Sequence, residues 1–189
     1  MHTIRHKAGN HMKIRMSLSS GSIDGAIKEL RKYKKTLSQK AGMVAKELAD
    51  RGRDKAAQNV REYATYGNLQ DIAASIRVKQ VKGKYRIYTT NKKAPFVEFG
   101  TGVRGRNDPH PNAALMAWAY VTGSKFTWYN GEYGWWYPTT ADDLNPTAKQ
   151  TETGDWIAFT TGMPSRPFMH DAYLWLKSQK GDIARSVFK

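Results

Sequence analysis

Hydrophobic and polar positions change period several times along this chain, and each change marks a candidate element. Met12 to Ser20 alternates, with Ile14, Met16 and Leu18 on one side and Lys13, Arg15 and Ser17 on the other, which predicts a half-buried strand. From Ile23 the apolar positions step by three and four through Ile27, Leu30, Leu37, Ala41, Val44 and Leu48, then Ala56, Val60 and Tyr63. That spacing predicts one long amphipathic helix, capped by Ser22 or Asp24 and ended by Gly67 and Asn68, with Gly42 and Gly52 as places to kink. Unbroken, it spans about 60 Å at 1.5 Å per residue. Residues 1–11 show no periodicity and read as a flexible N-terminal arm.

Beyond Asn68 the period drops to two. Ile76 and Val78 alternate with Arg77 and Lys79, and Tyr85 and Ile87 alternate with Lys84, Arg86 and Tyr88. With Lys82-Gly83 between them, Ser75–Val81 and Lys84–Thr90 predict a hairpin with one apolar and one basic face. Ala94 to Phe99 reads as a third strand running into Gly100-Thr101-Gly102, residues 103–111 as a loop punctuated by Gly and Pro, and Asn112 to Val121 as a short apolar helix. An aromatic, turn-rich stretch follows. Pro167 then opens a final helix, Phe168 to Ser178, with Phe168, Ala172, Trp175 and Leu176 on one side. The whole reads as a flexible arm, 1–11, and a single α+β domain, 12–189, with an insertion over about 106–155.

Composition sharpens this picture through its asymmetry. The net charge is +15, yet residues 1–102 carry 22 basic and 8 acidic side chains, against 9 and 8 in the remainder. Aromatics run the other way: 15 of 22 lie after residue 102, and all six Trp fall between Trp118 and Trp175. A non-specific single-strand binder interleaves the two residue types in one groove. Their segregation points instead to a basic half facing a polyanion or an acidic protein, and an aromatic half serving as core or as a protein contact. A solvated basic surface remains the plainer alternative. Cysteine is absent, so disulfides, thiolate metal sites and Cys nucleophiles are all excluded. The longest apolar run, Ala113 to Val121, is too short to span a membrane, and the chain reads as a soluble protein made in the cytoplasm.

Candidate chemistry is thin. Gly100 to Gly105 matches the dinucleotide pattern GxGxxG, but Pro109 and Pro111 oppose the helix that should follow and hold a pyrophosphate. Asp108, His110, His170, Asp171 and Glu98 offer metal-ligand chemistry without a recognised spacing, and no GxSxG elbow marks a nucleophile. The best-motivated site is the basic hairpin: Arg77, Lys79, Lys84 and Arg86 would project together, followed by Lys92 and Lys93, and Ile72 to Val97 contains no carboxylate until Val97 is passed. Such a row meets phosphates without reading sequence. Trp128, Trp135, Trp136 and Tyr137 are candidates for a partner surface, or for the small core an insertion of this length needs.

Three segments in fixed order resemble a known family: Asn68-Leu69-Gln70-Asp71-Ile72 leading to Ser75-Ile76, then Ala94 to Gly102, then Gly162 to Met169 with Ala172. They are similar to the tail-completion, or head-tail joining, proteins of long-tailed bacteriophages, typified by the gene-ten product of a lambda-like phage. The likeness covers roughly residues 12–102 and 155–188. It implies a structural virion protein without catalytic residues, cofactor or metal, forming a ring of about six or twelve copies at the neck between head connector and tail. Expected partners are other copies, head-completion or connector proteins, the tail terminator or tail tube protein, and non-specifically the packaged double-stranded DNA, with assembly in the host cytoplasm and no membrane. The motif residues Glu98, Phe99, Gly100, Thr101, Gly102, Pro164, Arg166, Pro167 and Phe168 read as structural, with Glu98 and Arg166 making polar contacts within or between subunits. Set against this are a free basic DNA- or RNA-binding accessory protein and, less favoured by the sparse acidic residues, a metal-dependent nuclease.

Overall fold

The computed structural model describes residues 19–63, 69–120 and 125–189. Its first element is α1, Ser20–Glu62, a continuous helix of 43 residues and so about 65 Å long at 1.5 Å per residue. No proline interrupts it, and neither Gly42 nor Gly52 breaks it. The helix starts a turn before the expected caps: Ser19, not Ser22 or Asp24, occupies the N-cap position. The strand expected over Met12–Ser20 lies outside the described residues, apart from Ser19 and Ser20, which open α1. Gly67, Asn68 and the N-terminal arm also lie outside them.

Among the described residues, α1 joins the rest of the fold through its C-terminal half, at Ala49, Gly52, Ala56, Ala57, Asn59 and Val60, while Ala26 is the buried position of its N-terminal half. These are small side chains, and they let the last helix come close. That helix, α5, is Phe168–Phe188, much longer than expected, because Ile183 is buried and carries the apolar stripe past Ser178. It runs antiparallel to α1: Asn59 Nδ2 donates to the Phe168 carbonyl at 3.1 Å, while Lys40 Nζ lies 5.6 Å from the centre of the Phe188 ring. A Cβ at Gly52 would lie 2.6 Å from the Ile87 methyl and would also collide with Leu176, so glycine permits the three-way approach.

Short α2, Gln70–Ser75, turns the chain into the antiparallel pair β1, Ile76–Val81, and β2, Lys84–Thr89. The hairpin forms as its periodicity predicts, paired from Ile76↔Thr89 to Val81↔Lys84. Lys82 and Gly83 both take positive φ, 49° and 76°, the two-residue turn whose twist suits such strands. Ile76 and Ile87 face α1, joining a core of Ala56, Val60, Ile72, Val97, Phe168 and Ala172.

Ala94–Phe99 is not the expected strand but a helix, α3. The Asn91 side chain accepts the Lys93 amide at 2.8 Å, Pro95 supplies helical φ in the first turn, and Ala94, Val97 and Glu98 are buried together at helical spacing. The following loop holds a second short helix, α4, Gly102–Asn107. Asn112–Val121, expected to be helical, forms only irregular turns up to Tyr120, with Val121 outside the described residues. Ala117 takes φ 49° there, and Trp118 is drawn back to donate its indole N–H to the Gly100 carbonyl at 2.9 Å, which ends any helix.

The aromatic stretch builds a separate sheet from β3, Thr127–Tyr129, β4, Glu132–Pro138, β5, Lys149–Gln150, and β6, Trp156–Thr160, all antiparallel in the order β3-β4-β6-β5. Tyr129, Trp136 and Phe159 pack on one face with ring centres 4.8–5.5 Å apart, and Phe126 and Trp135 on the other at 5.2 Å. The α+β class, with a long N-terminal helix, a C-terminal helix and antiparallel sheets, is therefore as expected, although the β structure is divided between a hairpin and this aromatic sheet. Among the described residues no helix is long and apolar enough to cross a membrane. Phe168 is 1% exposed and belongs to the core cluster shared by α1, α2, β1, α3 and α5. Phe168→Ala should cost about 3–5 kcal/mol, read as a lowered urea midpoint with unchanged far-ultraviolet circular dichroism in water.

Candidate functional site

Two of the motif segments meet at one buried junction. Glu98, at the end of α3, is 7% exposed. Its carboxylate accepts the Met169 amide at 2.9 Å and the His170 amide at 3.0 Å, the otherwise unpaired donors of the first turn of α5. His110 Nδ1 accepts the Asn112 amide at 2.9 Å, so Nε2 carries the proton and donates to Glu98 at 3.1 Å. Backbone bonds close the same seam: Arg166 N–H to the Val97 carbonyl at 2.9 Å, Thr101 N–H to the Met163 carbonyl at 2.9 Å, and the Ser165 hydroxyl to the Glu98 carbonyl at 2.7 Å. Phe99 stacks on Trp118 at 5.1 Å and tilts against His110 at 4.4 Å.

The glycines of this seam are required by shape. Gly100 has φ 76°, and a Cβ there would sit 2.7 Å from the Ser165 nitrogen; Gly102, at φ 62°, lies against Trp135 and the Thr161 carbonyl. Pro164 lines the seam beside Met163, and Pro167, expected as the first residue of the helix, stands instead at the N-cap of α5, one position earlier. α5 packs mainly on α1, and Phe168 shares the buried core with Ile76 of β1. A short helix does form, but it begins inside the GxGxxG pattern, and three amides at its start are taken: Gly102 N–H donates to the Tyr120 carbonyl, Arg104 N–H to Thr161 and Gly105 N–H to Thr101. These bonds turn most of the donors a pyrophosphate would need toward the backbone. Glu98, His110 and His170 do come together, the two imidazoles 5.2 Å apart, but among the described residues no three His, Asp or Glu side chains are arranged to hold a metal ion. Asp108 stays outside, contributing its carbonyl to Ser165.

The second arrangement is electrostatic. Arg77 and Lys79 on β1, and Lys84 and Arg86 on β2, are exposed on the hairpin face turned away from α1, with Lys79 directly opposite Arg86. Like charges so placed cost stability. Lys79 Nζ rests 5.0 Å from the Tyr88 ring, and the Arg77 guanidinium donates to the Ala74 and Ile76 carbonyls. Lys92 and Lys93 are not on that face; they follow β2 in the turn into α3, where Lys93 lies 3.6 Å from Asp71. Between α1 and β1 runs a groove of about 600 Å³ that contains Lys46, Arg53 and Arg61. Its carboxylates are spoken for, Asp50 by Lys46 at 2.6 Å and Asp54 by Arg53 at 2.8 Å, and the Lys46 bond holds the Asp50 carboxyl below its usual range.

Of the aromatic candidates, Trp128 is 70% exposed, Trp136 and Tyr137 are half-buried, and Trp135 is buried against Phe126 and Gly102, so it serves as the centre of the sheet rather than as a surface. Lys149 covers Trp136 at 4.2 Å, and the Tyr137 hydroxyl donates to Asp143 at 3.0 Å. The role of Glu98 as a cap for α5 is absent from any local pattern, because its amide partners lie 71 and 72 residues away.

Residues 24–100 match the family model described as "Bacteriophage HK97-gp10, putative tail-component". The match runs from the first turns of α1 through the hairpin to Gly100, and includes the first resembling segment and the second as far as Gly100; the third, Gly162 to Met169, lies beyond it. No curated protein matches the chain. No solved structure matches it either.

Burial pushes the Glu98 carboxyl up from its ordinary range, opposed by the two amides and His110. A carboxyl whose pKa is raised on folding adds most to stability below its unfolded value, and that part is lost as pH rises through the folded value. Glu98→Gln should therefore destabilise by about 1–3 kcal/mol, and the penalty should shrink between about pH 4 and pH 7. Urea unfolding of both proteins across that range measures it, and a penalty that grew with pH would reverse the sign assigned to the shift.

Proposed function

We propose that the chain is a structural subunit of a bacteriophage tail, placed at the neck, where identical copies form a closed ring that joins the head connector to the tail and lets DNA pass. The family match over residues 24–100 carries this reading. It supports a structural tail component in the virion; the hairpin and junction support the finer assignment. An exposed, carboxylate-free row containing the opposed pair Lys79 and Arg86 is costly in isolation and is relieved by a polyanion or an acidic neighbour. Nothing in the junction acts as a catalyst: Glu98 is consumed as a helix cap and the glycine amides as backbone donors. The motif residues thus hold the subunit's shape, while the hairpin faces outward.

Mass spectrometry of purified virions and tail intermediates tests the assignment. The chain should be present at a fixed multiple of the connector, and its absence from both would end the reading. DNA contact is tested separately. Lys79→Glu/Arg86→Glu should leave the fold intact, weaken binding to a short duplex at least about tenfold at low salt, and reduce the slope of log affinity against log salt by about 2. An unchanged slope would assign the row to a protein partner instead.

A further inference from the structure

One edge of the hairpin has no partner strand. Among the described residues, β1 pairs with β2 and with no other strand. In a hairpin closed by a two-residue turn, the pair beside the turn, here Val81 and Lys84, exchanges both hydrogen bonds, and bonded and unbonded pairs alternate from there. The amides and carbonyls of Ile76, Val78 and Gln80 therefore point away from β2. The Arg77 guanidinium marks the same open side, since it donates to the Ile76 carbonyl at 3.1 Å. Among the described residues, no backbone hydrogen bond from outside the hairpin reaches Val78 or Gln80.

This open side borders the groove of about 600 Å³ between α1 and β1, which every residue from Ile76 to Gln80 lines. Its size is that of a preformed binding site. Ala57, Ala73 and Val78 give it an apolar floor. Asp50 and Asp54 are held by Lys46 and Arg53, whereas Arg61, Arg77 and Lys79 line it with no carboxylate paired to them among the described residues. The groove thus joins unused backbone donors and acceptors to uncompensated positive charge.

We infer that the groove takes an extended, acidic polypeptide segment of a partner protein, added as a strand beside β1. The edge offers amide donors and carbonyl acceptors in turn, and another backbone meets both. A duplex can meet the outer face of the basic row, but its phosphates only accept and leave the edge carbonyls unmet. A second β1 would set Arg77 and Lys79 against their own kind, and residues 1–18 of the chain hold no carboxylate, so charge disfavours both as occupants. In the added strand, side chains beside Ile76 and Val78 turn toward α1, while the alternate ones stand beside Arg77 and Lys79. The fitting sequence therefore alternates small apolar and acidic residues. This rests on the reading above that the row faces an acidic neighbour, and names the edge that receives it.

The probe is a peptide of about ten residues that alternates glutamate and valine, titrated into the isotopically labelled full chain. It should slow hydrogen exchange at the Val78 and Gln80 amides, and a lysine–valine counterpart should bind at least about tenfold more weakly. Arg61→Glu, whose thermal melt confirms folding, should weaken the glutamate peptide by a similar factor. Two further peptides, one N-methylated at its valines and one at its glutamates, keep the charge. One of them should lose binding, because its methyl groups face β1, and the other should retain it. Equal behaviour of the two, equal binding of the lysine peptide, or Val78 and Gln80 amides left unprotected under a large excess of probe would each overturn the strand addition. Protection of those amides by a short duplex and not by the peptide would assign the edge to nucleic acid. If Lys79→Glu/Arg86→Glu weakens duplex binding while no peptide binds, the row reading stands and the edge proposal fails; if that variant changes the affinity for neither, the row reading itself fails.

Discussion

One buried carboxylate organises this fold. Glu98 takes two amides from the first turn of α5 and an imidazole N–H from His110, and so fixes where the last helix begins relative to α3. A buried charge of this kind is a modest source of stability, since its desolvation offsets much of what its partners return. Its value lies in exclusion. Any other register of α5 on α1 would strip the carboxylate of its two amide donors and leave it only His110, at a loss of several kcal/mol. With the start of α5 fixed, Phe168 falls into the core, the Gly100–Gly102 turn closes on Met163 and Thr161, and the aromatic sheet is anchored through Trp135.

Small residues supply the complementary condition. Ala49, Gly52, Ala56 and Ala57 leave α1 with little bulk on its inner face, so α5 and the hairpin can approach it together. The two halves of the chain then follow different economies. The core around α1 is closed by short aliphatic side chains at close range, whereas the sheet over residues 125–160 is held by ring-to-ring packing with comparatively few residues and short strands. The cationic hairpin face stands apart from both and contributes nothing to either core, which leaves its charge free to serve a contact outside the subunit.

What the sequence disclosed follows from the range of the deciding interaction. The long helix and the hairpin were legible because a one-sided apolar pattern repeats over many residues and specifies its own burial. Ala94–Phe99 was misread because six residues satisfy both a two-residue and a helical period, and Asn91, Pro95 and the distant first turn of α5 made the choice. Asn112–Val121 has the composition of a helix, yet the indole of Trp118 is claimed by Gly100 and Phe99. The basic row was readable as alternation within two adjacent strands. The cap formed by Glu98 was not, since the carboxylate and its amide donors are joined only by the fold.

Continuity of α1 has a mechanical corollary. Gly42 offers a hinge that the helix declines to use, so the free tip and the buried base belong to one stiff rod. Torque applied at the tip has no joint in which to dissipate and is delivered directly to the interface where Asn59 grips α5.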